Sequence, residues 1–172
     1  MYFKKIILIL LILFSATRLF AENLIIEDNN TNQLNFFTGN FDFSDNKQKA
    51  ILIGFQHQDE NLKRNTFLGN ISPITGGFLT DNSAAYIYTG IEWNVDMGSS
   101  VTFTPSFAPG LYHEGNGKDL GHVLEFKSEV QLSYEVSDKT NFGLSYNHVS
   151  NASLGDKNPG ANSYMFNFLK KF

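Results

Sequence analysis

Between Leu124 and Val136 the chain alternates strictly in character. The even positions are Leu124, Phe126, Ser128, Val130, Leu132, Tyr134 and Val136, and the odd ones are Glu125, Lys127, Glu129, Gln131, Ser133 and Glu135. Successive side chains of a strand point to opposite faces, so this stretch predicts a strand with one apolar and one charged face. The same two-residue period recurs along the chain, broken by Asn, Asp, Gly and Ser, and no long helical period follows Ala21. The pattern predicts an all-β fold with eight strands, at 33–43, 49–57, 66–79, 83–94, 99–110, 121–136, 140–151 and 161–172. Turn-like segments at 44–47, 80–82 and 137–139 separate some of them. The third strand is the weakest, because Pro73 and Gly76-Gly77 interrupt it. No domain boundary, internal repeat or low-complexity tract divides the chain.

The first residues follow a different rule. Lys4 and Lys5 precede an uncharged run from Ile6 to Phe14, and a small residue, Ala21, follows shortly after. This predicts an export signal over residues 1–21, cleaved after Ala21, and a barrel domain over residues 22–172. A membrane anchor is the other reading, but the apolar run is far short of the ~20 residues a spanning helix needs. Removing 21 of 172 residues leaves 151, with 10 basic against 17 acidic side chains.

A soluble sandwich would also alternate, with its apolar face turned inward. The last strand separates the two cases. Its even positions are Tyr164, Phe166, Phe168, Lys170 and Phe172, the last being the C-terminal residue. Alternating aromatics ending in a terminal Phe resemble the last strand of bacterial outer-membrane barrels, where that pattern directs assembly by the barrel-assembly machinery. Composition agrees with that resemblance. The chain is 15% aromatic and only 17% charged, against about 25% charged in soluble domains, yet its mean hydropathy is slightly negative. Lipid-facing rings beside a polar lumen produce both at once. The mature length allows roughly 19 residues for each strand and its turn, enough for strands of ~10–12 residues to cross an apolar band of about 25 Å. Closure also satisfies every backbone group in lipid. The expectation is an eight-stranded antiparallel transmembrane β-barrel in the bacterial outer membrane. A barrel of this size is filled by its own side chains, so Glu125, Lys127 and Glu129 are expected in an interior polar network. The absence of cysteine excludes a disulfide scaffold and thiolate zinc sites, and the acidic balance excludes nucleic acid as a partner.

With an even strand count both termini share the periplasmic side. The seventh strand then ends, and the eighth begins, at the cell surface. The even face of the seventh reads Phe142, Leu144, Tyr146, His148, Ser150, so the apolar wall gives way to two polar side chains. Centring the hairpin near Asp156 places Ser150 opposite Asn162 and His148 opposite Tyr164. Facing side chains have Cβ atoms ~4.5–5.5 Å apart, so His148, Ser150 and Asn162 are expected to meet on the outer wall.

The segment from His148 to Asn162 resembles the signature of the outer-membrane lipid A 3-O-deacylases, in which His-x-Ser-Asn-Ala is followed, after a short loop, by Asn-Pro-Gly-x-Glu. Here it reads His148-Val149-Ser150-Asn151-Ala152 and Asn158-Pro159-Gly160-Ala161-Asn162. The stretches 104–115 and 117–121 are also similar to the family. The resemblance implies a Ser/His esterase with Ser150 as nucleophile, His148 as general base and Asn151 helping to stabilise the oxyanion. It further implies lipid A, the lipid part of lipopolysaccharide, as the substrate, no metal or organic cofactor, and a monomer or homodimer among outer-membrane lipids. One position departs from the signature, because the acid after Asn-Pro-Gly-x is Asn162. Either Asn162 orients the imidazole at a reduced rate, or another acid such as Asp156 substitutes, or catalysis is lost.

Other polar groups have ordinary explanations. His113, Glu114, Asp119 and His122 have metal-compatible chemistry without recognised ligand spacing, and with Lys118 they read as a surface loop that could also meet lipid A sugars and phosphates. His57 reads as interfacial. Trp93, Tyr86, Tyr88 and Tyr112 are expected in aromatic girdles or lumen packing, and Gly76-Gly77 has no phosphate-loop context. Against the esterase stand a non-catalytic small barrel serving adhesion or membrane integrity and, from a third class, a periplasmic soluble β-barrel binding a ligand inside.

Overall fold

The structure, a computed structural model, describes residues 32–45, 48–67 and 69–172. The expected export signal lies outside the described residues. Nine strands follow in order: β1 (Gln33–Phe41), β2 (Ala50–Gln58), β3 (Arg64–Thr66), β4 (Gly69–Thr80), β5 (Ala85–Asp96), β6 (Val101–His113), β7 (Leu124–Ser137), β8 (Thr140–Ser150) and β9 (Ala161–Lys171). Each pairs antiparallel with its neighbours. β1 pairs with both β2 and β9, and β2 pairs with β4, so the eight long strands close into a ring. The short β3 is a return onto the start of β4, beyond the point where β2 leaves the sheet. The first and last described residues meet, with Phe172 N–H donating to the Asn32 carbonyl at 3.1 Å.

Alternation along β7 sorts as expected. Val130, Leu132, Tyr134 and Val136 are exposed on the outer wall, whereas Glu125, Lys127, Gln131 and Ser133 are buried in the lumen. The same wall carries Phe36, Ile53, Phe55, Ile87, Phe107, Leu144 and Phe166, the surface a hydrocarbon layer would cover. At the loop end the lumen is packed with rings, among them Phe41, Phe78, Tyr86, Tyr88 and Tyr112, with Phe41–Phe78 and Phe78–Tyr86 centroids 5.5 and 5.6 Å apart. Each such pair adds about 0.5–1.5 kcal/mol beyond its buried area. Further along, the lumen is polar. Lys127 Nζ lies 3.3 Å from Glu129 and 4.2 Å above the Tyr88 ring, Gln56 donates to Glu92 at 2.8 Å, and Tyr88 Oη donates to Gln56 at 3.0 Å. Glu125 stands apart from this cluster, nearer the loops, where its backbone carbonyl accepts from Tyr86 Oη at 3.1 Å.

β4 runs unbroken through the residues that weaken it in sequence, and each has a reason. A Cβ on Gly76 would sit 2.8 Å from Tyr88 Oη, and one on Gly77 would sit 2.7 Å from the Tyr86 carbonyl oxygen. Gly76 therefore makes room for the Tyr88 ring and Gly77 for close approach of the β5 backbone, and neither ends the strand. The Pro73 carbonyl accepts from Asp59 N–H, so its missing N–H faces the excursion between β2 and β3, where no ladder partner exists. Pro105 and Pro109 likewise fall where the β5–β6 pairing skips a step.

Candidate active site

His148 and Ser150 are the last outward-facing residues of β8, and both are half-buried. Asn162 is the first outward-facing residue of β9 and lies directly opposite His148. Tyr146 lies opposite Tyr164, and Ser150 has no β9 partner but pairs with Phe126 of β7. The register thus differs by one pair from the sequence expectation, which set Ser150 against Asn162 and His148 against Tyr164. The hairpin is centred on Gly155 rather than Asp156, because the turn is built from left-handed residues, Ala152 at φ 52°, Ser153 at 63° and Gly160 at 61°. His148 and Asn162 are brought into contact at one end of the wall, and Ser150 follows two residues along β8 on the same outward face.

The direct side-chain contact across the two strands is between His148 Nδ1 and Asn162 Oδ1, at 2.9 Å. The same oxygen accepts from Tyr146 Oη at 2.7 Å, and Asn162 Nδ2 donates to Ser44 Oγ at 3.4 Å. An imidazole whose Nδ1–H is held by a carbonyl oxygen has its lone pair on Nε2, the nitrogen free to act as base. Asp156 is exposed in the loop, and the group bonded to His148 is the amide.

Phe43 closes the site from the turn after β1. Its N–H donates to the Asn162 carbonyl at 3.0 Å, and its ring lies 4.3 Å from that of Tyr164. The expected first strand included Phe43, but β1 ends at Phe41, because Asp42 turns the chain with φ 49°.

Asn151 is held between two loops. Its side chain is fully buried, and Nδ2 donates to the Leu120 carbonyl at 2.7 Å and to the Lys157 carbonyl at 2.8 Å. Both amide hydrogens are engaged in these two bonds. Asn151 pins loop 151–160 to loop 114–123, and Asn158 Oδ1 accepts from its N–H at 3.1 Å. Lys157 and Asp119 join the same two loops across 2.5 Å. That hydrogen-bonded ammonium, with the Gly121 N–H, holds the Asp119 carboxyl below the usual carboxylate range. Lys118, a candidate for phosphate, is committed to Asp42 at 2.6 Å. His113, Glu114 and His122 are exposed, and among the described residues no group of three acidic or His side chains could hold a metal. Tyr86, Tyr88 and Tyr112 pack in the lumen, one of the two places expected.

Four residues at the site carry no role in the sequence reading. Tyr146 shares the parity of His148 but reads there as one more lipid-facing ring. Ser44 and Phe43 lie more than 100 positions away and arrive only because closure sets β1 beside β9. Gly160 belongs to the motif, and its role is steric. A Cβ there would come within 2.7 Å of His148 Cε1 and 3.2 Å of Nε2, at a φ that disfavours any other residue. Gly160→Ala is therefore expected to lower turnover several-fold while the barrel still folds, checked by activity in detergent and by migration on unheated gels.

The sequence model of the lipid A 3-O-deacylase (PagL) family matches residues 51–171. A search of curated protein sequences returned no match. Among solved structures, the crystal structure of the outer membrane enzyme PagL aligns at a TM-score of 0.63 and 15% identity, covering 80% of this chain and 98% of that one. Neisserial surface protein A aligns at 0.57 and 11% identity, covering 83% and 96%. At these identities the structural likeness carries the fold, whereas the family match spans most of the sequence, including the hairpin just described. The chain belongs to the lipid A 3-O-deacylase (PagL) family and is an outer-membrane β-barrel.

Proposed function

We propose that the chain is a Ser/His esterase that removes an ester-linked hydroxyacyl chain from lipid A in the outer leaflet. The observation that carries this reading is the bond from His148 Nδ1 to Asn162, 2.9 Å long, on the outward face that also bears Ser150. In the proposed reaction His148 Nε2 takes the Ser150 hydroxyl proton as Oγ attacks the ester carbonyl. The tetrahedral adduct collapses when His148 returns that proton to the leaving sugar oxygen, leaving an acyl-Ser150. Water then repeats the sequence, releasing the fatty acid and the free serine. Asn162 holds the imidazole in place. Because the Asn151 side chain is engaged, we assign the oxyanion donors to backbone N–H groups of the turn it pins, at Ala152 and Ser153.

Placement suits a substrate that never leaves the membrane. Acyl chains lying in the leaflet can run down the exposed apolar wall of Leu132, Leu144, Tyr164 and Phe166, so that the ester approaches from the side. The same alternating rings of β9 are the element we assign to recognition by the barrel-assembly machinery. The proposed chemistry needs no cofactor. The test is incubation of the full chain, folded in detergent, with purified lipid A. Release of a free hydroxy fatty acid is expected, and intact lipid A after prolonged incubation would refute the reading and favour a non-catalytic barrel.

A further inference from the structure

An amide at position 162 changes what the third residue can do for His148. A carboxylate only accepts hydrogen bonds, so whichever way it lies it requires an N–H on the facing imidazole nitrogen. An amide has an accepting end and a donating end. With its oxygen toward His148, Nδ1 carries the hydrogen and Nε2 the lone pair. Turned over, the amide would donate to Nδ1, the hydrogen would sit on Nε2, and the base would be lost. Amide replacement of the acid in serine proteases fails in this way, through the wrong tautomer. An Asn can serve here only if its neighbours dictate which way it lies.

The neighbours do so through a hydrogen-bond chain with a fixed direction. Asp42 is fully buried and its Oδ2 is paired with Lys118 Nζ at 2.6 Å, and the carboxylate of an ion pair can only accept hydrogen bonds. Its Oδ1 accepts from Ser44 Oγ at 3.4 Å. A hydroxyl has one hydrogen to give. With that hydrogen directed at Asp42, Ser44 Oγ presents only lone pairs to Asn162, whose Nδ2 lies 3.4 Å away. The nitrogen end of the amide is thereby drawn toward Ser44, and the oxygen end is left for His148 and for the phenolic hydrogen of Tyr146. Both links through Ser44 are at the long end of the hydrogen-bonding range, so they bias the amide rather than clamp it.

We infer that Asp42 and Ser44 are positioning residues that act through the Asn162 amide to set the tautomer of His148. The catalytic consequence rests on the esterase reading above, but the tautomer itself is observable without activity. The experiment is nitrogen-15 NMR of the full chain, labelled at histidine and folded in micelles, with the signals of His148 identified by their loss in His148→Ala. In wild type the neutral ring is expected as the Nδ1–H form. Ser44→Ala is expected to shift it measurably toward the Nε2–H form and to lower kcat several-fold with KM little changed. Asn162→Glu in the Ser44→Ala background is expected to restore the Nδ1–H form, because a carboxylate needs no orienting. An Nε2–H ring in wild type, or a ring unmoved by Ser44→Ala, would overturn the inference. If the tautomer responds as described but wild type releases no fatty acid, the positioning chain stands and the esterase reading falls.

Discussion

Alanine at Ser150 and alanine at His148 are each expected to cut lipid A deacylation by about 10⁴-fold or more, and the double substitution to do little further harm. In serine hydrolases nucleophile and base act as a unit, so removing either forfeits nearly the whole contribution of both. Folding should be spared, because both side chains lie half-buried on the outer wall and not in the packed lumen. Truncation there leaves the aromatic core of Phe41, Phe78, Tyr86 and Tyr112 untouched. Initial rates in detergent, read beside gel migration before and after heating, separate loss of chemistry from loss of structure. Additive losses in the double variant would mean that the two residues do not share one step.

Asn162→Glu is expected to raise the deacylation rate by about tenfold. The size follows from what the amide lacks and what it already does. A hydrogen bond to a charged group is worth about 1.5–3 kcal/mol, against about 0.5–1.5 for a neutral one. A difference of roughly 1.4 kcal/mol in the transition state, where the imidazolium forms, is a factor of about ten. The far larger effect of acid-to-amide exchange in serine proteases includes the wrong tautomer, and here the oxygen of Asn162 already faces Nδ1 at 2.9 Å. Glu is one methylene longer than Asn, and its side chain would emerge opposite His148 on the half-exposed wall. A lower rate in the Glu variant would show that the site is built around the amide and not weakened by it.

The strands were legible because lipid outside and polar packing inside impose opposite preferences on alternate positions. That is why β7 could be sorted residue by residue. The weak third strand shows the limit, since Gly76-Gly77 and Pro73 look like breaks until Tyr86, Tyr88 and the excursion before β3 are in place beside them. At the candidate site, the outward placement of His148, Ser150 and Asn162 was legible from parity, because all three fall on the lipid-facing side at neighbouring strand ends. Their register was not, since it depends on a left-handed turn through two non-glycine residues, Ala152 and Ser153. Nor was the burial of Asn151 between two loops, which depends on Leu120 and Lys157 arriving together. The contribution of Ser44 was out of reach for a simpler reason, as only ring closure brings it to Asn162.

The most direct test of the whole account is the lipid A mass spectrum of Gram-negative cells producing the full chain, set against cells producing Ser150→Ala at the same level in the outer membrane. Wild type should yield a lipid A species lighter by one hydroxyacyl chain, and the variant should leave lipid A at full mass. Identical spectra from the two, whether both full or both shortened, would contradict the assignment of Ser150 as the nucleophile of a lipid A deacylase.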